Sequence, residues 1–466
     1  MPEIRKRSGR LEKLLSGIVK EIRPSRDEID AANRYSNDLM GRLRHVLPRD
    51  VEIILAGSVA RGTQVRGSSD IDIFLLFPKA APEREMEAKA LRAAKSIVSR
   101  KSGESYEINY AEHPYLKLIN NKLGFTADIV PAFKIRDSSD MGTSVDRTQL
   151  HNEFVKSHLS AHQRDEVRLL KHFLDCHRIY GAESRTSGFS GYLCELLIYH
   201  YGSFAATMES ISALKLPLVI RISDNSEVSD TAELEAAIRR FGSKFIVIDP
   251  TDSTRNVAAN VSMESLSRLI LASRMLLRSP SAETFYGPRM IDTASRAWLS
   301  RLIKGYGFDV HTIAVKLPHI SEDTLWPQLK RLAGIVAKRM DSEGFTPLLS
   351  LQYMEGGEAI MSFITNKAEV NAKLVEGPPV DIAEGSALFY TKHNHGSNVF
   401  VEGDHLFSIE KSQFTNAHAL LEHLLASKEF SFPSHIAKSR ARLFTGALPE
   451  RYAKMLRLAY ESKMSI

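Results

Sequence analysis

The sequence is poor in cysteine and has no long apolar run. Its 466 residues include two cysteines, Cys176 and Cys194, and two tryptophans. Neither cysteine belongs to a metal-binding motif, and both lie in apolar helical patterns, so we predict reduced core residues. No apolar run is long enough to span a membrane, and the charged N-terminal residues lack the apolar segment of a signal peptide. These absences predict a cytoplasmic protein without disulfides.

Charge of one sign is only slightly in excess. Lysine and arginine number 62, aspartate and glutamate 56, so the formal net charge is +6. This excess agrees with a polyanionic partner and is equally typical of ordinary solubility. With 43% hydrophobic residues the chain is globular, and its length is too great for a single core. Several domains are expected.

Two aspartates stand at the head of an apolar run. Residues 71–77 read Ile-Asp-Ile-Phe-Leu-Leu-Phe and precede Pro78, a pattern that predicts a buried strand. Asp70 and Asp72 are two residues apart and therefore point to the same face of that strand. Paired carboxylates repel each other unless a cation lies between them, and hard oxygen ligands suit Mg²⁺.

A glycine turn precedes these aspartates. A second apolar run, residues 51–55, leads into Gly57 and Ser58. A glycine turn that opens a helix exposes backbone N–H groups to a phosphate, and Ser58 and Arg61 add a hydroxyl and a guanidinium. Either motif alone is typical of an ordinary turn or strand end. Together, a phosphate site and a pair of metal-binding carboxylates indicate nucleotidyl transfer.

A third carboxylate lies on a predicted hairpin. Residues 115–119 and 125–130 flank a polar turn, and Pro131 is expected to end the second strand. Asp128 interrupts the apolar pattern of that strand. A lone aspartate on a strand is commonly just an exposed residue, but within Ala-Asp-Ile-Val-Pro it is a functional candidate.

These residues carry a family resemblance. Gly57-Ser58 followed by Asp70-Ile71-Asp72 resembles the signature of the polymerase-beta nucleotidyltransferase superfamily. That superfamily adds a third carboxylate from a later strand, a position that Asp128 matches.

Three downstream motifs resemble the archaeal, class I CCA-adding enzymes. They are Thr-Gln-Leu-His at 148–151, His-Arg-Ile-Tyr-Gly at 177–181, and Asp-Pro-Thr-Asp-Ser-Thr-Arg-Asn-Val-Ala-Ala-Asn at 249–260. The resemblance implies template-independent addition of C-C-A to the 3′ end of tRNA from CTP and ATP, with release of pyrophosphate. It also implies a two-metal mechanism with Mg²⁺ as cofactor. No membrane partner is expected, and a homodimer is left open.

The resemblance assigns roles to ten residues. Metal binding and catalysis fall to Asp70, Asp72 and Asp128. Some members carry Glu at the first of these positions; aspartate keeps the ligand and shortens its reach. Nucleotide binding falls to Ser58, Arg61, Thr148, His151, Lys171, Tyr180 and Arg255, with Arg255 next to the base.

Without the resemblance, several of these residues have ordinary interpretations. Lys171 would be a solvated helical lysine, His151 a structural histidine and Tyr180 a packing residue. Arg255 would pair with Asp249 or Asp252. A basic terminal segment carries the candidates for tRNA contact, Lys438, Arg440 and Arg442, for which a solvated helix face is an equal alternative.

The predicted fold is α+β and multi-domain. A nucleotidyltransferase head (1–145, a mixed sheet with helices) is followed by a helical neck (146–215), a nucleotide-site and body region (216–305), a ferredoxin-like body sheet (306–375) and an α/β tail that binds tRNA (376–466). The β-α-β-β pattern of the body sheet predicts helices on one of its faces.

Local patterns add finer expectations. Apolar spacing from Leu11 to Ile22 predicts an amphipathic helix. A capping box at Ser160 opens a helix that closes near Gly181. Residues 376–379, Glu-Gly-Pro-Pro, are expected to break the chain.

Two other functions compete. An A-adding terminal RNA nucleotidyltransferase, similar to poly(A) polymerase, needs the same three carboxylates. A catalytically dead RNA-binding relative does not need them, and the intact carboxylates and Ser58 argue against it.

Overall fold

The computed structural model describes residues 2–68, 70–110, 112–287, 294–427, 430–436 and 441–464. The chain forms two compact units, residues 1–289 and residues 290–465. The finer division into five parts stays a prediction.

The first unit combines helices with two sheets. Its helices are α1 (Pro2–Ile22), α2 (Arg26–Val46), α3 (Gly57–Arg61), α4 (Glu83–Ser96), α5 (Thr148–His158), α6 (Ala161–Cys176), α7 (Gly191–Tyr201), α8 (Phe204–Ser212), α9 (Thr231–Phe241), α10 (Met263–Arg278) and α11 (Ala282–Tyr286). Its strands are β1 (Glu52–Ala56), β2 (Asp70–Phe77), β3 (Glu104–Tyr110), β4 (Pro114–Asn120), β5 (Phe125–Phe133), β6 (Leu218–Arg221), β7 (Ser226–Glu227), β8 (Phe245–Asp249) and β9 (Asp252–Asn256). Short 3-10 turns occupy Arg100–Ser102, Ser138–Asp140 and Ser144–Arg147.

The larger sheet of this unit has the order β1-β2-β5-β4-β3. β2 and β5 run parallel, and the other neighbours are antiparallel. Alternate residues of β2, such as Ile71 and Ile73, pack with α2 and α4 in one core. The opposite face of the same strands therefore carries Asp70 and Asp72. The predicted strands and hairpin of the head are confirmed.

The expected end of β5 at Pro131 is wrong. The strand continues to Phe133 alongside β2. Its pairing with β4 reaches only as far as Ile129. Because Pro131 lies beyond that point, its missing N–H interrupts no bond to β4, and proline is tolerated.

A helical core joins α1, α6, α7, α8 and α10 with the smaller sheet, β7-β6-β8-β9. In α1 the predicted apolar face is buried, including Leu11 and Ile22. The capping box at Ser160 is present, as predicted. α6 ends at Cys176, well before Gly181, because Arg178 takes a left-handed φ of 56° that no helix can continue.

The second unit begins with α12 and alternates strands and helices. Its helices are α12 (Ser295–Tyr306), α13 (Glu322–Ser342), α14 (Ala383–His393), α15 (Ala417–Ala426) and α16 (Glu450–Met464). Its strands are β10 (Phe308–Lys316), β11 (Leu349–Glu355), β12 (Glu358–Asn366), β13 (Ala372–Pro379), β14 (Val399–Glu402), β15 (His405–Lys411) and β16 (Arg442–Thr445).

The main sheet of the second unit has the antiparallel order β11-β12-β10-β16. This is the predicted ferredoxin-like arrangement, with α13 and α15 on one face. The expectation that helices cover only one face is wrong, because α12 and α16 pack on the other. Burial on both faces explains the nearly continuous apolar sequence of β10 and β12.

The expected break at residues 376–379 is also wrong. These residues belong to β13, which pairs with β15 in a three-stranded sheet of order β13-β15-β14. The pairing is irregular between Glu376 and Pro379. β13 is an edge strand, where proline costs fewer ladder bonds.

Both cysteines are unpaired, as predicted, with Cys194 buried and Cys176 partly buried. Among the described residues we find no helix with the length and apolar character needed to cross a membrane.

Candidate active site

The three candidate carboxylates lie on neighbouring strands of the larger sheet. Asp72 of β2 and Asp128 of β5 are direct partners in the parallel register, so they project from the same face. Asp70 is the partner of Thr126, whose Oγ1 donates to Asp70 Oδ1 at 2.5 Å. The structure therefore brings Asp70, Asp72 and Asp128 together.

The charge of this cluster is unbalanced. Burial raises the pKa of Asp72, and the charge of Asp70 raises it further. Burial raises the pKa of Asp128 to about 6, with Asp72 and Asp70 acting in the same direction. Asp128 Oδ1 is buried and, among the described residues, has no hydrogen-bond partner. A hard divalent cation fits this donor set, because it would supply both the missing charge and the missing partner.

Gly57 holds the adjacent turn tightly against Asp72. A Cβ at Gly57 would lie 1.7 Å from Asp72 Oδ2, and the residue has a φ of +67°. Only glycine satisfies both conditions. The turn leads directly into α3, which carries Ser58 and Arg61 beside the carboxylates.

Two candidate phosphate-binding cations meet a buried glutamate. Arg61 Nε lies 3.1 Å from Glu195 of α7, and Lys171 Nζ lies 3.7 Å from Glu195 Oε1. Thr63 Oγ1 donates to Glu195 Oε1 at 2.6 Å and accepts from Lys171 Nζ at 3.1 Å. Lys171 is therefore not a solvated lysine: it is 4% exposed, and burial lowers the pKa of its ammonium. Two cations and one anion leave an excess positive charge, which suits a polyphosphate.

Three of the candidate nucleotide-binding residues line one cavity. Ser58, Lys171 and Tyr180 border a space of about 620 Å³. Tyr180 pairs with Phe189 through an isolated bridge, and the Tyr180 hydroxyl lies near Gly191, where an added Cβ would lie 3.1 Å away. The cavity is of a size common for small-molecule ligands.

A second group forms around Asp249, at the end of β8. Asp249 Oδ2 lies 2.8 Å from His151 Nε2 and accepts from Arg255 Nη1 at 2.8 Å, while Tyr192 donates to Oδ1 at 3.2 Å. The rings of His151 and Tyr192 stack with centroids 3.8 Å apart. Burial lowers the pKa of His151, and Asp249 acts in the opposite direction. The hydrogen bonds of these partners outweigh burial and hold the pKa of Asp249 far below its usual range.

Arg255 is thus an ion-pair partner of Asp249, which is one of the two partners that the sequence analysis considers for it. Its side chain nevertheless remains 32% exposed. One guanidinium nitrogen is fixed against Asp249, which orients the exposed remainder of the fork.

Thr148 begins α5 and lies one turn before His151, on the same side of the helix. A buried aspartate attaches this helix to the carboxylate sheet. Asp146 accepts from the N–H of Phe133, at the end of β5, at 2.7 Å, and from that of Thr143 at 2.9 Å.

Of the candidate tRNA contacts, Lys438 and Arg440 lie outside the described residues. Arg442 lies on β16 rather than on a helix, and its side chain is 50% exposed. Its guanidinium pairs with Glu358 at 3.3 Å and lies 5.6 Å from the ring centroid of Tyr452.

The sequence interpretation missed Glu195, Asp146 and Lys117. Glu195 stands alone within the apolar run Leu-Cys-Glu-Leu-Leu, a pattern that indicates a buried charge in need of a cation. Lys117 is the antiparallel partner of Asp128, and the alternation of β4 places it on the carboxylate face. That signal was visible once the hairpin register was known.

A separate cluster has spacing that could hold a metal ion: Glu83, Glu87 and His113. His113 Nδ1 lies 3.0 Å from Glu87 and 3.5 Å from Glu83. A hydrogen bond between imidazole and carboxylate accounts for this contact. The two glutamates belong to α4, which covers the sheet face opposite the three aspartates.

The sheet, its three clustered carboxylates and the adjacent glycine turn define a nucleotidyltransferase head. Residues 38–155 match the family model for a nucleotidyltransferase domain, 165–286 that for the second domain of tRNA nucleotidyltransferase, and 307–445 that for the C-terminal domain of the CCA-adding enzyme.

Full-length relatives extend this match. The chain is 31% identical to the CCA-adding enzyme of Methanocaldococcus jannaschii over 91% of this chain and 94% of that protein. It is 31% identical to the CCA-adding enzyme of Archaeoglobus fulgidus over 87% of both chains. The chain belongs to the CCA-adding enzyme family of nucleotidyltransferases. It also resembles a solved structure of the Cid1 poly(U) polymerase, at a TM-score of 0.46 and 18% identity over 59% of this chain and 96% of that one.

Proposed function

We propose that this chain adds the nucleotides C, C and A to the 3′ end of tRNA, using CTP and ATP and no nucleic-acid template. The 3′-oxygen of the RNA attacks the α-phosphorus of the nucleotide. A new phosphodiester bond forms, the bond between the α-phosphorus and the bridging oxygen breaks, and pyrophosphate leaves. The observation that carries the proposal is the carboxylate cluster beside a cavity lined by Ser58, Lys171 and Tyr180, in a chain whose family adds CCA.

Asp70, Asp72 and Asp128 would hold Mg²⁺, and their excess negative charge supports this choice over a monovalent cation. When bound, Mg²⁺ lowers the pKa of a coordinated hydroxyl and neutralises charge on phosphate oxygens. We also assign to Asp128 the proton of the 3′-hydroxyl, because its buried Oδ1 has no hydrogen-bond partner among the described residues.

The triphosphate is bound by Ser58 and Lys171, which line the cavity, and by Arg61, which shares the partner Glu195 with Lys171. Glu195 and Thr63 hold the two cations in place, so their charge is preorganised and needs no rearrangement during the reaction. Tyr180 lines the same cavity, and we assign it to the sugar.

The base is read by Arg255, with Thr148 and His151 alongside. Asp249 fixes one nitrogen of the Arg255 fork, and the exposed part is free to donate to acceptors on the base edge. Cytosine offers such acceptors at O2 and N3. A cytoplasmic location and a homodimeric assembly belong to the same proposal and are tested by cell fractionation and light scattering.

The direct test supplies a tRNA lacking its 3′ end with CTP alone, ATP alone or both, and sizes the products. We expect two added nucleotides with CTP alone and three with both. ATP alone should leave the substrate unextended. A ladder of added A with ATP alone would instead support the A-adding alternative. Asp72→Asn serves as the inactive control, and it should bind tRNA as the parent does.

A further inference from the structure

A lysine continues the carboxylate row across the sheet. Asp72 pairs with Asp128 in the register of β2 and β5, and Asp128 pairs with Lys117 in the register of β5 and β4. Directly opposed residues project to the same face, with Cβ atoms about 5 Å apart. The row Asp72, Asp128, Lys117 therefore lies on one surface, with the cation at its β4 end.

Positive charge reaches the carboxylates from two separate sides. The positive charges of Arg61, Lys171 and Lys117 lower the pKa of Asp72. Lys117 is the direct cross-strand partner of Asp128, and its charge lowers the pKa of that carboxyl. The order of strands in the sheet supports this division. α3, which carries Arg61, follows β1 on one side of the carboxylate strands, whereas Lys117 is on β4, on the other side.

The chemistry of phosphoryl transfer assigns a substrate to each side. The attacking oxygen and the leaving pyrophosphate lie roughly in line, on opposite sides of the α-phosphorus. If the triphosphate lies with Arg61 and Lys171, the RNA must approach from the side of Asp128 and Lys117. The last internucleotide phosphate of the RNA then comes close to that side, because it belongs to the same nucleotide as the attacking 3′-hydroxyl.

Lys117 is available for such a contact. Its nearest cross-strand acid besides Asp128 is Glu107 of β3. Within the described part of the chain, no carboxylate oxygen lies within 4.0 Å of the Lys117 ammonium. A lysine is a flexible point charge that can follow a phosphate without bidentate geometry.

We propose that Lys117 binds the phosphate of the last internucleotide linkage of the RNA, and so places the 3′-hydroxyl beside Asp128. This inference rests on the proposed function, which sets the side of the triphosphate. It makes Lys117 an RNA-binding residue of the active site rather than a balancing charge for the aspartates.

The test uses the full-length protein, a tRNA that ends before the first added C, and the same RNA with a neutral methylphosphonate at its last linkage. Binding is measured in EDTA without nucleotide, for the parent, Lys117→Ala and Lys117→Gln. We expect each variant to bind the natural RNA about tenfold more weakly, as for loss of a charge-assisted contact. The slope of log affinity against log salt should fall by about 0.7–0.9. On the methylphosphonate RNA, parent and variants should bind equally.

The KM for CTP should stay unchanged, and Lys117→Arg should retain most of the RNA affinity. The matched control is Lys122→Ala, an exposed lysine in the turn between β4 and β5, which should leave RNA binding unchanged. Equal weakening on both RNAs, or a raised KM for CTP with unchanged RNA affinity, would overturn the proposal. Failure of the parent to extend tRNA would instead refute the proposed function.

Discussion

At the scale of single residues, the carboxylate cluster is a source of instability in the free protein. A carboxyl whose pKa rises to about 6 on folding makes the native state hold more protons than the unfolded chain between pH 4 and 6. Stability then falls as the pH rises through this window, and the full penalty applies above it. Asp128 therefore disfavours folding at neutral pH unless a cation is bound.

We predict that Asp128→Asn stabilises the metal-free protein by about 1–2 kcal/mol at pH 7.5, and that the difference vanishes toward pH 4. Unfolding curves in EDTA across this range measure the effect, with the exposed Asp30→Asn as control. Added Mg²⁺ should stabilise the parent more than the variant. Nucleotide incorporation should fall by at least about a hundredfold. A variant that is less stable at pH 7.5, or that incorporates normally, would contradict this assignment.

Arg255 offers a second test at this scale. We predict that Arg255→Ala lowers kcat/KM for CTP by about one to two orders of magnitude, as for loss of a charge-assisted hydrogen bond. Discrimination against UTP should also weaken, because uracil presents a donor at N3 that the guanidinium repels. Arg255→Lys keeps the charge and loses the fork, so it should restore affinity without restoring discrimination. An equal loss for CTP, UTP and ATP would place Arg255 on the phosphates instead.

Functional residues were predictable from sequence where the residue pattern around them indicated their chemical role. The spacing of Asp70 and Asp72 fixes a shared face, and Asp128 interrupts an apolar strand. Glu195 has a local pattern, a lone charge in an apolar run, but that pattern does not identify Arg61 as its partner. Lys117 has no such pattern, because its importance comes from the register of a hairpin.

At the scale of elements, the join between β1 and α3 is the most constrained feature of the head. The glycine at position 57 combines a left-handed φ with direct contact to Asp72. Gly124, in the turn between β4 and β5, has a similar φ of +72°, but an added Cβ there would meet nothing within 4 Å. Substitutions at these two glycines therefore distinguish the effect of backbone strain, which both positions share, from that of steric contact, which occurs only at Gly57.

We predict that Gly57→Ala and Gly124→Ala both lose about 1 kcal/mol of stability from the left-handed backbone. Gly57→Ala should in addition displace Asp72 and lower nucleotide incorporation at least about a hundredfold. Gly124→Ala should keep normal incorporation. Thermal unfolding and turnover of both variants measure the two effects. Equal activity of the two variants would show that the contact with Asp72 does not position the carboxylate.

Most helices and strands were predictable from the periodicity of apolar residues. The wrong predictions of strand ends and sheet coverage have a common cause, which is that they depend on tertiary arrangement. The sequence predicts that Pro131 ends a strand and that residues 376–379, Glu-Gly-Pro-Pro, break the chain. A proline ends a strand only where a neighbour needs its N–H, and that depends on strand order. The second helical layer on the body sheet also depends on tertiary arrangement. α16 is distant in sequence from β10 and β12, and α12 directly precedes β10 without indicating which face of the sheet it covers.

At the scale of the whole molecule, the candidate chemistry is confined to the first unit. Residues 1–289 contain the carboxylates, the cavity and the Asp249 group. The second unit contains none of the proposed catalytic or nucleotide-binding residues, and its match is to the C-terminal domain of the CCA-adding enzyme. Its predicted contribution is RNA affinity.

We predict that joint neutralisation of Lys438, Arg440 and Arg442 to glutamine weakens tRNA binding and lowers the slope of log affinity against log salt by about 0.7–0.9 for each lost phosphate contact. The structure adds one expectation: Arg442 already pairs with Glu358, so Arg442→Gln alone should change the slope less than the loss of a full phosphate contact would.

Neutralisation of three exposed cations of the first unit, Lys95, Arg239 and Lys244, serves as the control. KM for CTP should be unaffected in both triple variants, because the nucleotide cavity lies within the first unit. If the two triple variants change the slope equally, the effect comes from net charge, and the terminal cluster is an ordinary solvated surface.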